Sequence, residues 1–165
     1  MKQIIRWLKR NWWEFLVAGM LTGTLIEVFN ANVYQFWIFN YPWDTFTIPY
    51  LNVSATAIFI GWLMFSAIAL LFTLFYEKLR PDKNIERAWV IGWVIAGTLV
   101  EVINAKFWQS WILLDKTVFG RYPIPFLDIS IFVPLLGYTG IGIFSFWIIR
   151  ILIMHFNKKD YKLIK

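Results

Sequence analysis

The chain has no cysteine, and His155 is its single histidine among 165 residues. That excludes a disulfide framework, a thiolate nucleophile and a thiolate metal site, and leaves too few ligands for a common metal centre. Charge is scarce too: Asp, Glu, Lys and Arg make up 16% of the residues, against about 25% in an ordinary soluble domain. The sequence holds no phosphate loop, no H-E-x-x-H and no G-x-S-x-G, so nucleotide, metalloprotease and α/β-hydrolase chemistry lack support. Neither a metal nor a cofactor is expected.

What fills the chain instead is apolar: 59% of residues are hydrophobic and the mean hydropathy is +0.59. Such a composition needs lipid as solvent. The clearest apolar run, Val53 to Phe75, carries no charge over 23 residues, and a helix needs about 20 to cross a bilayer. Aromatics reach 21%, with eleven Trp, and many stand near the ends of the apolar runs, where an amphipathic ring suits the headgroup region. The start Met1-Lys-Gln-Ile-Ile-Arg6 is followed by no A-x-A-like cleavage site, so the first span is expected to be retained.

A net charge of +6 raises the question of nucleic acid, but the basic residues flank the apolar runs instead of forming a stripe. They read as topology, and no nucleic-acid partner is expected. Thirteen of the sixteen Lys and Arg lie before the first run, between the second and third, or at the end; only Lys106, Lys116 and Arg121 do not. The positive-inside rule therefore places both termini and the central linker in the cytoplasm.

Gly23-Thr-Leu-Ile-Glu27-Val-Phe-Asn30 returns 74 residues later as Gly97-Thr-Leu-Val-Glu101-Val-Ile-Asn104, and Gln35 and Trp37 return as Gln109 and Trp111. Further on, Ile48-Pro-Tyr-Leu-Asn52-Val-Ser54 returns as Ile124-Pro-Phe-Leu-Asp128-Ile-Ser130, now 76 residues later, and Trp62 corresponds to Tyr138. Chance aligns apolar helices, but not Glu, Asn, Gln, Trp and Pro at matching spacing; the sequence reads as a duplicated unit.

The predicted fold is an all-α membrane protein of four transmembrane helices, roughly Trp12 to Asn32, Val53 to Tyr76, Ala88 to Lys106 and Ile129 to Met154. They form two tandem hairpin repeats, 12–77 and 88–155, within a single membrane domain. A polar linker, 78–87, joins them, and a basic tail covers 156–165. Each unit crosses twice, so the copies share one orientation, and both aromatic loops face the non-cytoplasmic side. The location that follows is the cell membrane, multi-pass.

Glu27, Asn30, Tyr34 and Trp37 follow spacings that share one helical face, as do Glu101, Asn104, Trp108 and Trp111. A helix begun near Trp12 carries Glu27 about 22 Å along its axis, inside the hydrocarbon. A carboxylate there is costly, so each Glu is expected to be protonated, paired, or turned to an internal wet cavity. Asn30 and Asn104, one turn away, are candidate hydrogen-bond partners for the carboxyls, and Gly23 and Gly97 allow close helix approach. The bland alternative is that Glu and Asn merely tie the hairpins together.

The loops add Trp43, Asp44 and Asp115, and Asp128 stands where its counterpart is the neutral Asn52. Asp128 is a third candidate acid or base; the alternative is an N-cap for the fourth helix. The Trp residues suit either a pocket for an extended apolar ligand or an interfacial belt. Pro134, with Gly137, Gly140 and Gly142 after it, is expected to kink the fourth span or to admit a neighbouring backbone.

A polar residue in a helix, then an aromatic W-x-F segment, then a Pro before the next span resembles the small membrane lycopene cyclase domain of carotenoid synthesis. Here the pattern reads Glu27, Asn30, Trp37-Ile-Phe39 and Pro49. The resemblance implies tandem membrane repeats without a soluble catalytic domain. Where that family has paired glutamates after its Pro, this chain has Asn52 and Asp128.

The function expected is an intramembrane enzyme acting on an isoprenoid or lipid-like substrate by acid–base chemistry of the cyclase, hydratase or isomerase type. Its catalytic residues would be Glu27, Glu101 and Asp128. Substrate would be held by Asn30, Asn104, Tyr34, Gln35, Trp37, Trp108, Gln109 and Trp111. Two other classes fit the same residues. A proton- or cation-linked transporter or channel would use the paired glutamates and would need a homodimer to widen its path. A membrane assembly subunit would need no chemistry. Membrane lipid is the partner common to all three.

Overall fold

The computed structural model describes residues 2–40, 46–79, 84–114 and 119–157. Trp43, Asp44, Asp115 and the tail from Lys158 onward, all named above, lie outside them.

Among the described residues, five α-helices dominate: α1 (Lys2–Arg10), α2 (Trp12–Phe29), α3 (Leu63–Leu79), α4 (Ile85–Ile103) and α5 (Thr139–Phe156). α2 and α4 run on into π-helical turns, Asn30–Tyr34 and Asn104–Trp108, while α3 and α5 are preceded by π-helical turns, Ala57–Trp62 and Val133–Tyr138. The four resulting helices, Trp12–Tyr34, Ala57–Leu79, Ile85–Trp108 and Val133–Phe156, are long and apolar enough to cross a membrane, as in a multi-pass membrane protein.

Two boundaries differ from the sequence reading. The second helix of each pair starts at Ala57 and Val133, four residues after the expected Val53 and Ile129, because Val53–Ser54 is a strand and Ile129 sits in the preceding loop. β-branched residues at an apolar run's edge suit either state, and the turn before them decides. The sequence reading also took Lys2 to Arg10 only for a basic flank. It forms α1, since Trp7 and Leu8 supply an apolar face that buries completely while the chain breaks at Asn11. The Asn11 amide donates to the Trp7 carbonyl over 2.9 Å.

Neighbouring helices touch in a ring, α2 to α3 to α4 to α5 and back to α2. Lipid tails are as apolar as the helix faces, so packing and interhelical hydrogen bonds do the selecting. Trp89 and Trp93 fill the centre with no exposed surface, and Trp89 Nε1 donates to Ser145 Oγ across α4 and α5 over 2.8 Å. At the tail end, Asn157 joins α5 to α2 through Asn11 (3.0 Å) and Glu14 (3.1 Å).

The loops are not purely irregular. β1 (Trp37–Phe39) pairs antiparallel with β4 (Trp111–Leu113), stitching the two halves together, and β2 (Thr47–Ile48) pairs with β3 (Val53–Ser54). A single bridge, Pro123 to Ser130, stands at the positions corresponding to β2 and β3. Among the described residues, eight other than glycine hold positive φ, four in each half at matched places: Gln35 and Gln109, Phe46 and Tyr122, Tyr50 and Phe126, Asn52 and Asp128. Bulky residues enter that region only where surroundings compel it.

Pro134 does not kink a helix. It lies in the first turn of Val133–Tyr138, where its missing N–H costs no intrahelical bond, and the second span opens on a π turn without any proline. Of the three glycines after it, only Gly142 meets a neighbouring backbone, at Val90.

Candidate functional site

Between the loop-side halves of the four helices lies a cavity of about 500 Å³. Both Glu27 and Glu101 line it, and the rest of the wall is mainly apolar and aromatic, including Trp37, Trp62, Phe65, Trp111, Phe119 and Tyr138. The ribbon β1–β4 roofs it: Trp37, Phe39, Trp111 and Leu113 line the cavity, while Ile38 and Ile112 between them are exposed. Its volume falls within the range of about 300–1,000 Å³ usual for small-molecule sites.

Each carboxyl is held by donors from the facing helix. Trp62 Nε1 donates to Glu27 Oε1 over 2.9 Å, and Tyr138 hydroxyl donates to Glu101 Oε1 over 2.8 Å. Glu101 takes a second bond, 3.0 Å from Trp111 Nε1 to its Oε2. Glycine explains how an aromatic ring gets so near. A Cβ on Gly23 would stand 2.0 Å from the Trp62 ring, and one on Gly97 would stand 2.2 Å from the Tyr138 ring. Each ring thus lies flat on its neighbour's backbone, one turn before the carboxyl it serves. Sequence reasoning paired Trp62 with Tyr138 but did not make them site residues; their matched places 35 and 37 residues after the two glutamates, the difference being the two extra residues of the second loop, were the available signal.

Phe65 links the two carboxyl-holding rings, stacking on Tyr138 with centroids 6.0 Å apart and lying 5.7 Å from Trp62. A cation formed in the cavity would face several ring surfaces. Among the described residues, no three His, Asp or Glu side chains are grouped so as to hold a metal ion.

The remaining candidates separate. Asn30 and Asn104 are buried but do not hydrogen-bond the carboxyls as expected. Asn30 Oδ1 accepts from the backbone of Phe36 (2.6 Å) and Trp37 (3.1 Å), and its amide donates to the Trp37 carbonyl (3.1 Å). Asn104 does the same with Ser110, Trp111 N and Trp111 O. The π turn that ends each helix frees these backbone groups, and the Asn side chain satisfies them. Asn is thus the fastener that folds Trp37 and Trp111 back over the site.

The shared-face reading fails for Tyr34 and Trp108. Each ends a π turn, and they point outward with 59% and 51% of their surface exposed. Gln35 and Gln109 are exposed left-handed caps at φ 45° and 47°. Trp37 and Trp111 reach the cavity from strands, not helices.

Asp128 is exposed and lies outside the main cavity, in an ion pair with Lys106. Nor does it cap the fourth helix; Ser130 Oγ accepts from Phe132 N over 3.3 Å nearer that helix start. The equivalent pair in the first half is neutral, Asn52 to Asn32 over 3.0 Å. Asp128 does line a second, more polar cleft of about 410 Å³ with Gln109, Ser130 and Glu101, so Glu101 borders both spaces.

Compared with known proteins, this chain matches no family model, no curated protein and no solved structure.

Proposed function

We propose that this chain is an intramembrane enzyme that rearranges an isoprenoid or similar lipid-like substrate by moving one proton onto it and removing another. The observation that carries the reading is the meeting of Glu27 and Glu101 in one cavity whose other walls are apolar and aromatic. Two carboxyls in a poorly hydrated pocket are suited to acid–base work on a molecule that brings few polar groups of its own.

Glu101 is the acid. It borders the polar cleft as well as the cavity, which gives it a route for reprotonation, and its two donors hold its orientation. Its proton adds to a carbon–carbon double bond, the resulting cation faces the rings of Trp62, Phe65, Trp111 and Tyr138, and Glu27 takes a proton from a neighbouring carbon. One proton enters and one leaves, so the product is an isomer of the substrate, cyclised or with a shifted double bond. The cyclase resemblance points in the same direction. Asp128, outside the main cavity, serves the cleft and not the reacting carbon.

The proposal includes a duplicated, parallel-oriented pair of hairpins in the cell membrane, with termini and linker cytoplasmic. The matched positive-φ residues and the matched Asn caps support the duplication, and the distribution of Lys and Arg supports the orientation. The site then lies in the outer half of the bilayer.

The test is product formation from an added polyprenyl or polyene substrate by the reconstituted protein. Glu101→Gln should lower turnover by about 10²–10⁴-fold, the usual contribution of a positioned acid, without changing thermal stability appreciably. Undiminished turnover in that variant would remove the acid–base reading. Proton or cation flux into proteoliposomes that depends on both glutamates would replace it with transport.

A further inference from the structure

The walls of the cavity are not equally thick. On the loop side the β1–β4 ribbon covers it, and on the tail side lies the fully buried core of Ala18, Trp89 and Trp93. Between α2 and α5, by contrast, the lining residues are themselves surface residues. Leu25 and Phe29 of α2 are 55% and 46% exposed, and Phe144 of α5 is 47% exposed, although all three line the cavity. Gly140, also exposed and lining, would meet nothing within 4 Å if it carried a Cβ. The helices are tied together at their tail ends through Asn157 and Glu14, which leaves their loop-side ends to part.

We propose that the cavity opens sideways into the bilayer between α2 and α5, and that its ligand is a membrane-dissolved isoprenoid chain that loads through this gap without crossing water. The proposal rests on the reading of the site as one for a lipid-like substrate. Gly140 and Phe144 stand about 10 and 16 Å below Val133, where their span begins, at roughly 1.5 Å per residue, which puts the gap within the apolar layer on the loop side. A hydrocarbon chain sliding in there exchanges one apolar environment for another. A water-soluble ligand would first have to cross that layer, and the ribbon roof blocks a direct descent. The chemistry at the inner end matches: the carboxyls lie on the wall that a double bond of the arriving chain would reach.

The experiment uses the full chain in phosphatidylcholine vesicles preloaded with geranylgeraniol, and native mass spectrometry of the released protein to read bound alcohol. Gly140→Trp fills the gap from a position where an added Cβ meets nothing within 4 Å, so the backbone need not shift to admit it. Leu25→Trp is the second variant from the opposite helix. Each should cut occupancy at least tenfold, and Phe144→Ala should shorten the loading half-time several-fold. Leu71→Trp, on the exposed surface of α3 away from the cavity, should load as the unaltered chain does. Loading by Gly140→Trp and Leu25→Trp equal to that of the unaltered chain would overturn the gap, as would an unaltered chain that takes up no alcohol from the vesicles. Glu27→Gln with Glu101→Gln separates the two proposals: that double variant still loads if the gap is right, whether or not it has lost turnover.

Discussion

Glu27 and Glu101 stand at corresponding places in the two halves, yet their surroundings differ. Glu27 accepts from Trp62, with Trp37 as a second side-chain partner, and lines the apolar cavity, whereas Glu101 accepts from Tyr138 and Trp111 and also borders the polar cleft. The scaffolding beneath them is alike: glycine one turn earlier, aromatic donor from the next helix, Asn one turn later fastening the loop. The difference lies at the tips. Tyr138 stands where the first half has Trp62, and the neutral Asn32–Asn52 pair has an ionic counterpart in Lys106–Asp128. Two similar frames can therefore present the same group differently, because a carboxyl's reactivity is set by its donors and its access to water, not by its own chemistry.

That comparison is broken most directly at the donors. Tyr138→Phe combined with Trp111→Phe leaves Glu101 buried with neither of its side-chain donors. The carboxylate left as Glu101 gives up its proton then lacks two bonds worth about 1.5–3 kcal/mol each, so turnover should fall by roughly a hundredfold or more. Trp62→Phe removes one bond from Glu27 and should cost about tenfold under the same assay. Equal losses at the two sites would mean that the halves act identically.

The Asn fasteners should show the halves behaving alike. Asn30→Ala and Asn104→Ala each delete three hydrogen bonds to the returning loop, worth about 2–3 kcal/mol in total. Thermal unfolding in detergent should drop by a similar amount for the two variants. A drop confined to one of them would show that only one loop depends on its fastener.

The smallest effect is expected at the charged tip. Lys106→Asn together with Asp128→Asn gives the second half the neutral pair of the first, and since the ion pair is largely exposed its loss should change stability by under about 1 kcal/mol. Salt titration of the unaltered chain should likewise leave the unfolding midpoint nearly constant. A larger change would assign the pair a structural role that its neutral counterpart lacks.

Much of this frame was legible in the residues themselves. Four apolar runs, the matching of Gly23 to Gly97 and Glu27 to Glu101, and the scarcity of charge each follow from composition and spacing, because hydrocarbon tolerates only helices with satisfied backbones. Spacing misplaced Asn30 and Tyr34, since it assumed a helix continuing at 3.6 residues per turn through Trp37. A π turn ends it at Tyr34, and the chain reverses through a left-handed Gln35. Periodicity cannot foresee a change of period, so Asn30 was read as a partner of Glu27 when it holds the loop. The N-cap alternative for Asp128 failed for a related reason: with a left-handed backbone at φ 57° it pairs with Lys106 instead of capping the helix start.

Sequence alone thus determined that this chain has four helices long and apolar enough to cross a membrane and that two of them carry a carboxyl within the apolar run, since each of these is a property of a single segment. Only the tertiary structure decided that the carboxyls share a cavity, that Trp62, Tyr138 and Trp111 hold them, and that the wall between α2 and α5 is thin. Those facts depend on which surfaces meet across helices distant in the chain, and shape complementarity between side chains is not encoded in any one segment's pattern.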